Sequence, residues 1–165
     1  MFCLAGDAMI SGREVRHSIE EVLGAAHDVV LEAWRRFLNA IQSCDRETIR
    51  ASFSEFEAQL RRQIKLEEEI LFPELEAEAA RLESDPTVPM RADHRAIEAA
   101  LGRLGARIRA EDCAALHEQP RQISLLFRDH LSRERNVLYP VADLVIPAKR
   151  RAQIISRVGV LQIVG

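Results

Sequence analysis

Two segments of this chain pair a donor residue with a glutamate four positions on, then close on an aromatic and a proline. In Gln63-Ile64-Lys65-Leu66-Glu67-Glu68-Glu69-Ile70-Leu71-Phe72-Pro73 the pair is Gln63 and Glu67, and in His130-Leu131-Ser132-Arg133-Glu134-Arg135-Asn136-Val137-Leu138-Tyr139-Pro140 it is His130 and Glu134. The second segment follows the first at an offset of 67 residues, and the same offset carries His27 onto His94. Residues four apart on a helix share a face, so each pair presents two donors to one volume. Imidazoles combined with carboxylates are a plausible shell for a transition metal, with glutamate binding one ion or bridging two.

Such a shell forms only if separate helices bring it together. Val30, Trp34, Phe37 and Ile41 follow His27, and Ile97, Leu101, Leu104 and Ile108 follow His94, pairwise at the same offset. Each half therefore reads as a helix carrying a histidine and a second helix carrying the donor pair. Two such hairpins related by a pseudo-two-fold repeat make an all-α, up-and-down four-helix bundle with polar side chains meeting inside. A buried carboxylate is costly unless paired or metal-bound, which makes Glu67 and Glu134 informative on otherwise apolar stripes.

The apolar spacing predicts a first helix from about Arg13 to Ser43, with Ser11 and Glu14 as a capping box. A second runs near Glu47 to Ala79, capped by Asp45 or Thr48. Pro73 either kinks it or ends it, leaving Glu74 to Ser84 as a further short helix. Asp85-Pro86-Thr87-Val88-Pro89 is the clearest break. A third helix follows from about Val88 to Ile108, and the fourth is clear from Ile123 onward, its start around His117 and Pro120 being ambiguous. The expected organisation is one domain over residues 1–165, with a core bundle at about 13–146 and an apolar tail at 147–165.

Composition narrows the function classes. With 47% hydrophobic residues and a formal net charge of -3, the chain can fill a helical core and gives no argument for nucleic-acid binding. Cys3, Cys44 and Cys113 are unclustered, which argues against a disulfide framework or thiolate zinc site and for a reducing, cytoplasmic setting. No apolar run approaches the roughly 18 residues of a membrane span, and Met1 to Ile10 lacks the plan of a secretory signal.

Several residues have two readings. Gln63 either ligates through its amide oxygen or hydrogen-bonds, and Glu98, one turn beyond His94, is either a ligand or half of a surface salt bridge. Glu68 and Glu69 read as solvated charges, and His17 and His117 as surface residues. Phe72 and Tyr139 read as packing for the end of the bundle. The tail from Lys149 onward either docks on the bundle or mediates a homodimer.

Taken together, His27, Glu67 with Ile70-Leu71-Phe72-Pro73, His94 after Asp93, and His130 and Glu134 with Leu138-Tyr139-Pro140 resemble the hemerythrin-like, or HHE cation-binding, domains over about Val15 to Val145. The resemblance implies a non-haem iron centre, with two ions the leading expectation and one the alternative. Manganese and zinc share these donor preferences. It implies that Glu67 and Glu134 bridge, that His94 and His130 serve one ion and that His27 serves the other. The family commonly has histidine at the place of Gln63, and its oxygen carriers have a further histidine at the place of Glu98. Both departures leave the His27 side with the poorer shell and an exchangeable position. The implied partner is a small diatomic ligand or peroxide, bound or sensed, or the role is iron handling under stress. A metal-dependent peroxidase or nitric-oxide-handling enzyme and a metal-stabilised structural or regulatory module are the alternatives.

Overall fold

The first helix, α1 (Ile19–Ser43), is fixed at its start by local polar chemistry. Ser18 Oγ accepts from the Glu21 amide at 3.0 Å, and the Glu21 carboxylate accepts from the Ser18 amide at 3.2 Å. This reciprocal box satisfies donors that have no partner within the helix. A second cap arrives from far along the chain: the Asp143 carboxylate accepts from the amides of Ile19 and Glu20 at 2.9 and 3.2 Å. The helix therefore begins at Ile19 and not near Arg13. The computed structural model describes residues 18–78, 85–111 and 113–163, so the expected Ser11–Glu14 box lies outside the described residues.

At the other end Cys44 turns left-handed, with φ 56°, and Asp45 caps α2 (Arg46–Leu66) by accepting from the Thr48 amide at 3.0 Å. The chain then makes a π-helical turn over Glu67–Leu71 and continues as α3 (Phe72–Glu78). Pro73 thus neither ends the helix nor leaves an unrelieved clash. A proline has no N–H to donate and its ring crowds the carbonyl one turn back, and the widened turn just before it accommodates both. The second half repeats the device. After α4 (Thr87–Arg109) and α5 (Cys113–Arg133), a π-turn at Glu134–Leu138 precedes α6 (Tyr139–Val145) with Pro140 in its first turn. The two π-turns stand 67 residues apart, as the sequence repeat does. Asp85 accepts from the Thr87 amide at 2.8 Å to open α4, and Pro120 lies within α5, whose start was ambiguous in sequence.

Helices α1 and α2 form one antiparallel hairpin and α4 and α5 the other, giving the four-helix bundle. Its core has two apolar clusters. One holds Val30, Phe37, Phe56, Leu60, Ile97, Leu101 and Phe127, and the other Leu23, Leu66, Leu71, Phe72, Met90, Leu138 and Tyr139. Each long helix crosses from one cluster to the other at a polar residue: His27 lies between Leu23 and Val30, and His94 between Met90 and Ile97. Gln63 and Glu67, like His130 and Glu134, occupy the same level.

The tail forms α7 (Ala148–Ile163), which packs on α1 and buries Ile154 and Val158. Among the described residues no helix is long and apolar enough to cross a membrane.

Candidate metal centre

His27, Glu67, His94, His130 and Glu134 are each no more than 2% exposed, and they meet in the polar layer between the two clusters. Ligand atoms of Glu67, His94, His130 and Glu134 all lie within 4.8 Å of one another. Glu67 Oε2 is 3.2 Å from His94 Nε2, and Glu134 Oε1 is 3.0 Å from His130 Nε2 and 3.8 Å from His94 Nε2. Glu134 Oε2 faces His27 Nε2 at 2.9 Å. The π-turns start at the two glutamates, so each carboxylate sits where the helix widens toward the bundle axis.

Despite these short distances Glu67 Oε2, His94 Nε2 and both Glu134 oxygens make no hydrogen bond. Two imidazole nitrogens and two carboxylate oxygens converging without mutual hydrogen bonds fit a divalent metal ion, which would satisfy them together.

Carboxylates set behind the imidazoles strengthen that fit. His94 Nδ1 is 2.8 Å from Glu68 Oε1, and His130 Nδ1 is 3.5 Å from Asp93 Oδ2. The hydrogen bond to Glu68 orients the His94 ring and raises its basicity as a ligand, while His130 Nδ1 makes no hydrogen bond and meets only the nearby Asp93 charge. Glu68 is in turn 3.7 Å from Arg91, which lies over the Phe72 ring at 5.0 Å. Phe72 itself stacks on His94 at 5.5 Å with planes 9° apart.

Without metal the site is an ionic cluster. Burial lowers the His27 pKa, yet the facing Glu134 and Glu67 carboxylates more than compensate and raise it to about 9. The same opposition raises His94 to about 10, with Glu134, Glu67 and Glu68 as the facing acids. Burial would raise the Glu134 carboxyl, but His130, His27 and His94 hold it well below the usual range. Burial and the nearby Glu67 and Glu134 charges push the Tyr139 phenol well up, so it stays protonated.

The structure brings six of the seven sequence-predicted donors together and leaves one out. Glu98 is 46% exposed and sits 3.4 Å from Arg61, so the surface salt bridge describes it. Gln63 is buried in the layer, where its Nε2 donates to Glu67 Oε1 at 2.5 Å while its Oε1 has no partner.

Two residues were misplaced by sequence reasoning. Glu68 is not merely solvated, since it backs His94, whereas Glu69 is 63% exposed as expected. Tyr139 does pack the apolar end, but its hydroxyl enters the polar layer, donating to Glu67 Oε1 at 2.5 Å and lying 2.8 Å from His27 Nε2. The available signal was the repeat itself, in which Tyr139 adds one hydroxyl to the position of Phe72. The surface expectation for His17 and for the His117 side chain falls outside the described residues.

No curated protein and no solved structure matches the chain. A family model, that of the hemerythrin HHE cation binding domain, matches residues 16–143, which include every donor of the cluster. With that match over most of its length, and with a buried histidine-glutamate cluster between two helical hairpins, the chain belongs to the hemerythrin HHE cation-binding domain family.

Proposed function

We propose that this protein holds non-haem iron at the His94, His130, Glu67 and Glu134 cluster and there binds or senses a small ligand such as oxygen, nitric oxide or peroxide. The observation that carries the reading is the set of buried ligand atoms that face one another without hydrogen bonds. Iron with an open coordination position supplies the affinity for a small ligand.

The surroundings of the cluster are tightly packed and largely apolar. A narrow space lined by Val30, Leu60, Ile64, Phe127 and Leu131 adjoins His27, Gln63, Glu67, His130 and Glu134. It leaves no room for even a water-sized sphere, so a small ligand reaches the cluster only if these side chains move. His94 is held in orientation by its hydrogen bond to Glu68, and Asp93 places a negative charge 3.5 Å from His130, which makes this half the better-built one.

The test is the optical spectrum of protein loaded anaerobically with Fe(II), before and after nitric oxide. A new visible absorption is expected. An unchanged spectrum with iron bound favours the structural-module reading, and sustained consumption of peroxide that is lost in Glu134→Ala favours the enzyme. Assembly as a homodimer through the tail is a separate proposal, motivated by Val160, 58% exposed on α7; a mass independent of concentration at the monomer value rejects it.

A further inference from the structure

The repeat makes the two halves of the polar layer directly comparable, and they are not equivalent. In one half His94 Nδ1 faces the Glu68 carboxylate. The residue at the same position of the other half is Arg135, which donates to the Gly24 carbonyl at 3.0 Å and to Asp28 at 2.6 Å. His27 Nδ1 accordingly has no partner. His130 Nδ1 also makes no hydrogen bond, but the Asp93 carboxylate stands 3.5 Å from it, whereas the positions matching these two are Gln63 and Ala26, which carry no charge.

The Glu67 carboxylate divides in the same way. Its Oε2 is free of hydrogen bonds and faces His94, whereas Oε1 takes one from the Tyr139 hydroxyl and one from Gln63 Nε2, each at 2.5 Å. The same hydroxyl lies 2.8 Å from His27 Nε2 and 3.3 Å from Gln63 Nε2, so His27, Gln63, Glu67 and Tyr139 form one closed polar knot. All four are buried. An ion on this side must displace the hydrogen bonds of the knot, while an ion on the His94 side meets Glu67 Oε2, Glu134 Oε1 and His94 Nε2, which have none.

We infer that the protein holds a single tight ion at Glu67, His94, His130 and Glu134, and that Tyr139 and Gln63 seal the His27 half against a second. This rests on the reading of the cluster as an iron site and specifies its stoichiometry. Glu67 then acts as a one-oxygen ligand whose other oxygen is held by the knot.

The experiment is anaerobic titration of the metal-free wild-type chain with Fe(II), with bound metal counted by elemental analysis after equilibrium dialysis. One ion per chain is expected, with any second at least about tenfold weaker, the scale on which partners behind ligands tune affinity. His27→Ala is expected to keep the tight ion and His94→Ala to lose it. The double variant Gln63→His with Tyr139→Phe is expected to take up two. Two ions of equal affinity in the wild type overturn the inference and leave the iron reading standing, as does a tight ion lost in His27→Ala but kept in His94→Ala. A folded double variant that still holds one ion removes the sealing role. A folded wild-type chain that takes up no Fe(II) overturns the iron reading as well. Should the double variant fail to fold, the wild-type count and the two alanine variants decide.

Discussion

The Tyr139 hydroxyl lies 2.8 Å from His27 Nε2, whereas Phe72, its counterpart in the repeat, stacks flat on His94 with ring centroids 5.5 Å apart. One oxygen atom thus distinguishes two aromatic side chains that follow equivalent glutamates. Tyr139→Phe removes a hydroxyl that serves both His27 and Glu67, and it should destabilise the metal-free protein by about 1–3 kcal/mol, the cost of leaving buried polar groups without a partner. Denaturant unfolding of the metal-free variant checks this, and an unchanged midpoint would show the hydroxyl to be dispensable.

Glu68→Ala should weaken metal retention by about 10- to 100-fold, because His94 loses the carboxylate on its outer nitrogen. Asp93→Ala should act in the same direction and less strongly, since its oxygen is 3.5 Å from His130 against 2.8 Å for Glu68 and His94. Competition with a chelator of known affinity ranks the two.

Proton linkage gives the metal-free and metal-bound proteins different pH behaviour. Folding raises His27 to about 9 and His94 to about 10, so their contribution to metal-free stability is complete below the ordinary histidine value of 6.5 and is lost as pH rises through 9 to 10. Glu134, held low, contributes above its ordinary value of 4.5 and loses that contribution as pH falls. A stability maximum in mildly acidic solution is expected for the metal-free chain. Metal binding displaces the imidazole protons, so affinity should rise with pH and uptake should acidify an unbuffered solution. Affinity that is flat between pH 6 and 8 would contradict these protonation states.

Phe56→Ala should cost about 3–5 kcal/mol, the range for emptying a buried aromatic position. Phe56 is 0% exposed and packs against Trp34 at 4.7 Å and Phe127 at 6.0 Å between ring centroids, on one side of the polar layer. Its loss should lower the unfolding midpoint with metal bound or absent, in contrast to Glu68→Ala, whose main effect is on the metal.

The fold was legible in sequence because the apolar stripes and the repeated donor pairs point to the same arrangement. His27, His94, His130, Glu67 and Glu134 could be picked out as polar exceptions on buried stripes, and all five are buried in one layer. Less legible was anything that depends on the direction of a side chain across the two π-turns. Tyr139 reads as apolar filler beside Leu138 and Pro140, yet its hydroxyl, just past the widened turn, donates to Glu67. Glu98 illustrates the converse, since its spacing from His94 copies that of Glu134 from His130, yet it is half exposed and pairs with Arg61 at the surface. Glu68 was hidden because its equivalent, Arg135, carries the opposite charge and obscures the role of the position.

The most direct measurement is the metal content of freshly isolated wild-type protein beside that of the His94→Ala, His130→Ala and Glu134→Ala variants, each shown to be folded by circular dichroism. The account predicts iron retained by the wild type and lost from all three. Folded wild-type protein that holds no metal even after anaerobic addition of Fe(II), or variants that keep it in full, would contradict the central claim.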